Sequence, residues 1–290
     1  MTDIRAEVAG VGLFSGRPGA VHISSTSDDQ GITIRWPDGV RAPADVRSLT
    51  PPPPNLPARN TILAGTGGRM LVTTEHVLSA LAGLGIWRAT IAATGPEVPM
   101  DDGSASAFVR ALRAAGIGST PTTPILLREP IVVEDGKGGR IEAYPRKSSG
   151  ATFEYRLDYG VGAPIRAQAA AWEPGGASEF GYGPGTKVYR DYAMEIAPAR
   201  TFCLQAEALA MRAMGLFKHV TPREMLVIGP DGPIENELRF ADEPARHKLL
   251  DLIGDLVLCG GPLQADVVAT RAGHALNHRM ARAILESGGV

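Results

Sequence analysis

Apolar and polar residues alternate with two different periods along the first half of the chain. Three segments have the short period of half-buried strands and are broken by glycine-rich turns: GVGLFSGRPGAVHISS (10–25), GITIRW (31–36) and RATIAATG (88–95). Two others repeat apolar residues every three to four positions, which predicts helices: EHVLSALAGL (75–84) and SASAFVRALRAAG (104–116). Thr73 or Thr74 can N-cap the first helix, and glycines end both.

Two irregular stretches interrupt this pattern, and the second half then repeats the mixture. PPPPNLP (51–57) predicts a stiff connecting loop, and STPTTP (119–124) is the best candidate for a linker between domains. The later strand segments are ILLREPIVVEDGKGGRIEAYP (125–145) and ATFEYRLDYG (151–160), which suggest an antiparallel set, and DVVATRAG (266–273). The later helix segments are AEALAMRAMG (206–215), RHKLLDLIGD (246–255) and LNHRMARAIL (276–285).

Both halves mix strands with paired helices, and this mixture predicts an α+β protein. We expect two domains, residues 1–120 and residues 121–290. His76 and His247 are each followed by Leu at +2, Leu at +5 and Gly at +7, so the two helices share a short repeated pattern, an internal echo. Chance matches among Leu-rich helices are common, and the echo alone supports duplication only weakly.

Composition narrows the class of protein without deciding its function. The chain has 290 residues, 44% of them hydrophobic and 21% charged, which is typical of a soluble globular protein. A net charge of −2 offers no basic field to nucleic acid, and no apolar run approaches the ~20 residues of a membrane span. The chain lacks a signal-peptide pattern, and its cysteines, Cys203 and Cys259, fit core positions in a reducing compartment. We therefore expect a cytoplasmic protein without nucleic-acid partners or a transmembrane segment.

The helix predicted over 246–255 carries polar residues that its Leu and Ile content does not explain. His247, Asp251 and Asp255 lie one turn apart, on a narrow stripe opposite the apolar face. A solvated face is the ordinary explanation, but two aspartates at i,i+4 repel each other unless a cation lies nearby. A His and an Asp one turn apart have Cβ atoms about 5–6 Å apart, close enough to bind one metal ion. One more donor would complete a three-ligand site.

TTEH (73–76) supplies the obvious third donor. His76 begins an apolar helix, and Glu75 beside it can take a proton from a metal-activated water. Alone, Glu75 is equally well explained as a helix N-terminal acid that the dipole favours. If His274 also faced the metal, Asp255 could accept its second ring N–H and raise its pKa, although His274 could equally be structural.

Six segments, taken in order, form a more specific pattern. They are GVGLFSG (10–16), TTEHVLSALAGLGI (73–86), PEVPMDDGSASAFV (96–109), ARTFC (199–203), ELRFADEPARHKLLDLIGDLVLCG (237–260) and GHALN (273–277). Together they resemble the UDP-3-O-acyl-N-acetylglucosamine deacetylase family, the zinc amidases of lipid A biosynthesis, over nearly the whole chain. The resemblance implies two α+β domains of similar two-layer sandwich topology, with the metal site between them.

The resemblance also implies an active site and its substrate. Zinc would bind His76, His247 and Asp251, a donor set that ferrous iron can also use. Glu75 would be the general base, and His274, oriented by Asp255, would be the cationic acid that protonates the leaving amine. The implied substrate contacts are Thr201 at the oxyanion, Lys248 at polar groups, Phe202 as a wall of the sugar site and Arg271 near the diphosphate. The substrate would be a UDP-linked acylated amino sugar, and the enzyme a monomer.

Three departures from the family pattern concern the substrate. Phe14 stands where the family usually has His, and Asp101-Asp102-Gly103-Ser104 stands where it usually has Met-Asp-Gly-Ser. GLFKHVTPRE (215–224) replaces a small Gly-Gly-Ser segment in the insert that forms the family's acyl passage. We therefore expect the bulkier residues over 215–222 to narrow that passage.

Three other functions stay open from the sequence. A zinc N-deacetylase of the same fold could act on another GlcNAc-type sugar whose acyl chain is short or absent. Two His and one carboxylate also form the facial triad of non-haem iron oxygenases, although an oxygenase needs no base such as Glu75. A non-catalytic binding protein on this fold would not need Glu75, Asp255 and His274 together.

Overall fold

The computed structural model describes residues 4–26, 30–54, 56–174, 181–222 and 224–288. The strands of the first half are β1 (Ala6–Val11), β2 (Pro18–Ser25), β3 (Ile32–Arg35), β4 (Arg41–Pro43), β5 (Leu63–Gly65), β6 (Arg69–Leu71) and β7 (Ala89–Ala93). Its helices are α1 (Glu75–Gly83) and α2 (Ser106–Ala114).

Among its described residues, the second half has ten further strands and three α-helices. The strands are β8 (Ile125–Leu126), β9 (Ile131–Glu134), β10 (Arg140–Pro145), β11 (Thr152–Leu157), β12 (Gln168–Trp172), β13 (Lys187–Tyr189), β14 (Phe202–Leu204), β15 (Leu226–Gly229), β16 (Gly232–Pro233) and β17 (Leu263–Thr270). The helices are α3 (Gln205–Ala213), α4 (Glu243–Leu256) and α5 (His274–Glu286).

Five strands of the first half form one sheet, in the order β1-β2-β7-β3-β4. β7 lies in the middle of this sheet, antiparallel to β2 and parallel to β3. The alternating sequence of β7 buries Ala89, Ile91 and Ala93 on one face, as a period of two residues predicts. β5 and β6 form a separate hairpin before α1.

The second half forms a larger sheet in the order β13-β12-β11-β17-β10-β9, with β8 beside β17. The expected antiparallel set is only partly right, because β10 and β11 are not neighbours. β17 lies between them, antiparallel to β10 and parallel to β11. A parallel pair needs a long crossover, and the chain makes one by passing through α3 and α4 between β11 and β17.

The two large sheets share one topology. In each, the central strand comes late in the chain and has one antiparallel and one parallel neighbour, so β7 corresponds to β17. α1 precedes β7 and α4 precedes β17, so the helices that carry His76 and His247 are equivalent. The predicted α+β fold with two similar halves is confirmed. The domain boundary at residue 120 stays a prediction.

α4 is a buried helix and not a surface helix with one solvated face. Every residue from Glu243 to Leu256 except Lys248 is buried, because α1, α5, β11 and β12 pack around it. α1 comes so close that a Cβ on Gly254 would lie 2.1 Å from the carbonyl oxygen of Glu75. Glycine at position 254 therefore permits the approach of the two helices, and the solvated-face explanation of the polar stripe is wrong.

The beginning of α1 differs from the expected side-chain N-cap. Thr74 occupies the N-cap position but makes no side-chain cap bond. Its hydroxyl donates to the carbonyl oxygen of Thr61 at 3.2 Å, and the Thr73 hydroxyl donates to Glu97 Oε1 at 3.1 Å. These long-range bonds compete with capping and anchor the first turn of α1 to the preceding loops.

The apolar interior consists of two clusters. The larger runs through both halves of the chain, and a smaller one lies beside α3 and includes Cys203. Cys203 and Cys259 are both free and buried, as expected for core residues. Within the described ranges, no helix has the length and apolar character that a membrane span requires.

Candidate metal-centred active site

α1 and α4 bring the three predicted metal ligands together. His76 is the second residue of α1, whereas His247 and Asp251 lie one turn apart on α4. Asp251 Oδ1 lies 3.4 Å from His247 Nε2 and 3.7 Å from His76 Nε2. All three residues are buried, and one ligand atom from each lies within 4.8 Å of the others. This spacing suits three ligands of one ion.

Both histidines of this cluster are neutral at physiological pH. Burial lowers the pKa of His76 to about 3 and the pKa of His247 to about 4. His247 Nδ1 donates to the carbonyl oxygen of Ala199 at 3.1 Å, which leaves the lone pair on Nε2, the atom nearer to Asp251. Burial alone would raise the pKa of Asp251, but the basic groups around it outweigh burial and hold that pKa well below its usual range.

The donor set fits a metal cation. Asp251 Oδ2 accepts a hydrogen bond from Lys248 Nζ at 2.6 Å, but the buried Oδ1 has no hydrogen-bond partner among the residues that the structure describes. A buried carboxylate oxygen without a partner costs free energy that a bound cation would remove. Two imidazole nitrogens and one carboxylate oxygen are ligands for both zinc and ferrous iron. The three residues therefore fit a divalent transition metal.

Glu75 lies beside this cluster as the first residue of α1. The residue is buried, and its Oε2 accepts a hydrogen bond from the Thr61 amide at 2.9 Å. Burial raises the pKa of Glu75 to about 8, although the positive charge of His274 partly opposes the rise. The positive charge of a bound metal ion beside Glu75 would favour its ionised form, the form that can accept a proton.

His274 and Asp255 form a buried pair next to the cluster. His274 Nδ1 donates to Asp255 Oδ2 at 2.8 Å, and His274 Nε2 lies 3.8 Å from Asp251 Oδ2. Burial would lower the pKa of His274, but Asp255 outweighs it and raises that pKa to about 9. Imidazolium is therefore the main form of His274 at neutral pH, and its role as an acid stays a prediction.

A cavity of about 450 Å³ opens beside these residues. The four predicted substrate contacts, Thr201, Phe202, Lys248 and Arg271, all line it. Lys248 Nζ lies 5.8 Å from the centre of the Phe202 ring, so a cation and an aromatic wall are neighbours there. Burial would lower the pKa of Lys248, but Asp251 outweighs it, and the amine stays charged.

One group of apolar residues in the cavity lining also belongs to the smaller apolar cluster, so these residues form an apolar side of the cavity. They are Leu13, Phe14, Met100, Met211, Phe217 and Met225. The rings of Phe14 and Phe217 pack with their centres 5.4 Å apart, and Phe217 has a φ of 57°, which is rare for a non-glycine residue. His219 Nε2 hydrogen-bonds the carbonyl oxygen of Gly12 at 3.0 Å. The 215–222 segment therefore packs directly against the loop that carries Phe14.

Three residues of the site were not predicted from the sequence. Thr61 contacts both Glu75 and Asp255, Asn277 Nδ2 donates to Asp255 Oδ2 at 2.8 Å, and His278 contacts the Thr61 hydroxyl. His278 had a usable signal, because it lies one helical turn after His274 and so on the same face. Thr61 had none, since it lies in a loop of the other half of the chain.

Comparison with known proteins identifies the family of the chain. The family model described as UDP-3-O-acyl N-acetylglycosamine deacetylase matches residues 3–286. Relatives named UDP-3-O-acyl-N-acetylglucosamine deacetylase occur in Thermosynechococcus vestitus (35% identity over 97% of this chain and 92% of the relative) and in Anaeromyxobacter dehalogenans (33% over 97% and 85%). A third, from Nostoc sp., is 34% identical over 95% of this chain and 94% of the relative. The resemblance predicted from the six motifs is therefore confirmed, and the chain belongs to the UDP-3-O-acyl-N-acetylglucosamine deacetylase family.

Proposed function

We propose that this chain hydrolyses the N-acetyl amide of a UDP-3-O-acyl-N-acetylglucosamine, with zinc bound to His76, His247 and Asp251. Family membership and the names of the relatives support a hydrolytic deacetylase of lipid A biosynthesis, which sets aside the oxygenase and the non-catalytic binding protein. The metal assignment depends above all on Asp251 Oδ1, a buried oxygen that has no partner in the described residues and lies between two neutral imidazoles.

The residues around the ligands divide the chemistry between them. A bound metal ion would polarise the attacking water and the amide carbonyl. Glu75 accepts a proton from that water while the water oxygen attacks the carbonyl carbon. The Thr201 hydroxyl donates a hydrogen bond to the oxyanion that develops. His274, kept charged by Asp255, stabilises this oxyanion and then donates its proton to the nitrogen as the C–N bond breaks.

Three residues of the cavity are assigned to the substrate. Lys248 holds polar groups of the sugar, Phe202 forms the wall against which the ring packs, and Arg271 binds the UDP diphosphate. Zinc is preferred to ferrous iron because hydrolysis uses no redox change. We propose a monomeric enzyme, which is compatible with a site whose ligands, base and acid all come from one chain. Its free, buried cysteines fit a reducing cytoplasm.

One assay tests this function. The purified protein is stripped of metal, reloaded with one equivalent of zinc, and incubated with UDP-GlcNAc or with its 3-O-acylated form. We expect acetate release that needs the metal, proceeds without oxygen and is faster on the acylated substrate. Acetate release from neither substrate by the fully loaded protein would contradict the proposed function. A parallel sample loaded with ferrous iron under anaerobic conditions compares the two metals.

The pair formed by Asp255 and His274 predicts a shift in the pH dependence of the reaction. Asp255 raises the pKa of His274 to about 9, so the protonated acid is lost only as the pH rises through that value. In Asp255→Asn the charge is absent and the pKa of His274 falls. The basic limb of the kcat/KM profile should then move to lower pH by roughly 1–3 units, the effect of one adjacent opposite charge.

Two controls make the pH experiment specific. Metal content must be equal in wild type and variant, because Asp251, a ligand, lies one turn before Asp255. Asp231→Asn changes an exposed aspartate in the turn after β15 and should leave the limb in place. An unshifted basic limb in a metal-loaded Asp255→Asn enzyme would separate the two residues functionally.

The apolar side of the cavity predicts a weakened preference for long acyl chains. Phe14, Phe217 and the bulky 215–222 segment occupy the space beside it, and each methylene denied burial forfeits ~0.8 kcal/mol. A passage shortened by four carbons would lose about 3 kcal/mol, or roughly a hundredfold in kcat/KM. We therefore expect relaxed activity on short-chain or unacylated substrate.

The measurement is the ratio of kcat/KM for a long-chain 3-O-acyl substrate to that for its unacylated parent. A ratio well above roughly a thousand would show an unobstructed passage and refute the narrowing. Phe217→Ala is the informative variant, because Phe217 and Met225 also line a second cavity of about 150 Å³. Removing the Phe217 ring should join the two cavities and raise the ratio.

A further inference from the structure

Two histidines of α5 lie around one carboxylate. His274 binds Asp255 Oδ2, as described above, and His278 lies one turn later with its Nε2 3.5 Å from Asp255 Oδ1. The Thr61 hydroxyl, which comes from the first half of the chain, contacts both Asp255 and His278. Thr61 Oγ1 is 2.5 Å from Asp255 Oδ1 and 2.8 Å from His278 Nε2.

The positions of the protons follow from what each group can donate. A hydroxyl has one proton, and the Thr61 hydroxyl donates it to the Asp255 carboxylate, which can only accept. Thr61 Oγ1 can then only accept from His278, so His278 Nε2 must carry a proton. The resulting chain of donors runs from His278 Nε2–H to the Thr61 hydroxyl and on to Asp255 Oδ1. Since the first donor polarises the hydroxyl, the bond between Thr61 and Asp255 becomes stronger.

Thr61 also contacts the opposite side of the site. Its backbone amide donates to Glu75 Oε2 at 2.9 Å, while its hydroxyl donates to Asp255. One buried residue therefore binds both the proposed base and the carboxylate that orients the proposed acid. A shift of the Thr61 backbone would disturb both contacts, and His278 donates to the hydroxyl that binds Asp255.

We propose that Thr61 and His278 are positioning residues for the deacetylation. Thr61 holds the base Glu75 and the carboxylate that orients the acid His274, and His278 holds the Thr61 side chain. The inference rests on the proposed roles of Glu75 and His274. In the part of the chain that the structure describes, His278 is not a lining residue of the substrate cavity. It is also partly open to solvent, with 20% of its side chain exposed. Its effect on the reaction is therefore indirect, through Thr61 and Asp255.

The first test reads the proton on His278 directly and needs no activity. The zinc-loaded protein is labelled with ¹⁵N-histidine, and the ring nitrogens are assigned by long-range ¹H–¹⁵N correlation, with His278→Gln used to identify the His278 signals. We expect a protonated Nε2 at neutral pH. An unprotonated Nε2, with the proton on Nδ1 alone, would overturn the proposal.

The second test compares a replacement without a hydrogen-bond donor and one with a donor. Phe places an aromatic ring without an N–H at position 278, whereas Gln lacks a ring but can place an amide N–H near the position of Nε2. We expect His278→Phe to lose roughly tenfold in kcat with KM and zinc content unchanged, the effect of one lost hydrogen bond. His278→Gln should stay within roughly threefold of wild type. Thr61→Val and Thr61→Ser should repeat this contrast.

Two results would refute the positioning role of His278. Equal kcat in wild type and His278→Phe would refute the positioning role. Equal losses in the Phe and Gln variants would point to packing, and would refute it as well. Arg282→Ala, an exposed change on the same helix, is the control for α5 itself. If the wild-type enzyme released no acetate, the proposed function would fail, while the ¹⁵N measurement would still decide the hydrogen-bond chain.

Discussion

Replacing Asp251 with alanine is expected to remove the metal and the activity together. Asp251 is the only carboxylate among the three proposed ligands, and its Oδ1 lies within 3.7 Å of both imidazole Nε2 atoms. Loss of a residue that only supports a ligand typically costs 10–100-fold in metal affinity, so loss of a ligand should cost at least roughly a hundredfold. Zinc measured after gel filtration should fall from about one ion per chain to a small fraction.

Two further variants separate metal binding from folding. Asp251→Ala also leaves the partly buried ammonium of Lys248 without its 2.6 Å partner, which is costly by itself. Asp251→Asn keeps the shape and an oxygen acceptor for Lys248, yet removes the charge that a metal cation needs. Asp231→Ala, in an exposed turn, should retain zinc and activity. Stoichiometric zinc in a folded Asp251→Ala protein would refute the ligand assignment.

The pair of metal ligands on α4 was predictable because it depends only on the spacing of residues within one helix. His247 and Asp251 are one turn apart, so any helix over these residues places them together, whatever it packs against. What the spacing could not indicate was the surroundings of the stripe. Polar residues on one face predict solvent, and here that face is covered by α1, which approaches across Gly254. Burial of a polar stripe depends on the partner helix, and no periodicity within α4 encodes that partner.

Strand pairing shows a similar division. The alternating pattern of β7 correctly predicted a strand with one buried face, since side-chain direction depends only on the neighbouring residues. The neighbours of β11 were predicted incorrectly, because the strand that pairs with it in parallel, β17, lies more than a hundred residues later. The predicted side-chain N-cap of α1 is also wrong because of contacts with residues distant in sequence. Thr73 and Thr74 bond to residues outside the helix, and these bonds replace the local cap.

Long-range contacts also explain why Thr61 was missed while His76 was not. His76 belongs to a helix that repeats the spacing around His247, and the equivalent positions of α1 and α4 in their two sheets give that echo a structural cause. Thr61 lies in a loop with no such counterpart. Its importance comes only from the three-dimensional contact between the two halves of the chain.

Replacing Glu75 with glutamine is expected to preserve the metal and remove most of the rate. Glutamine has nearly the same shape, and its carbonyl oxygen can still accept the 2.9 Å hydrogen bond from the Thr61 amide. It cannot accept the proton of the attacking water. We therefore expect kcat to fall roughly 10²–10⁴-fold, the usual contribution of a positioned proton acceptor, with zinc content unchanged.

Glu75→Ala and Glu97→Gln complete the comparison. Alanine removes the base and also leaves the Thr61 amide without its partner, so Glu75→Ala should lose a similar factor in rate and additional stability in thermal unfolding.

Glu97 is another buried carboxylate whose oxygens accept backbone N–H bonds, from Phe14 at 2.9 Å and Ser15 at 2.7 Å. Glu97→Gln changes a buried carboxylate that also accepts the Thr73 hydroxyl before α1, without changing the base, so its rate should fall far less than that of Glu75→Gln. A fully active Glu75→Gln enzyme, or one that has lost its zinc, would mean that Glu75 has another role. Full activity would leave the proton of the water to another acceptor, and loss of zinc would make Glu75 part of the metal site.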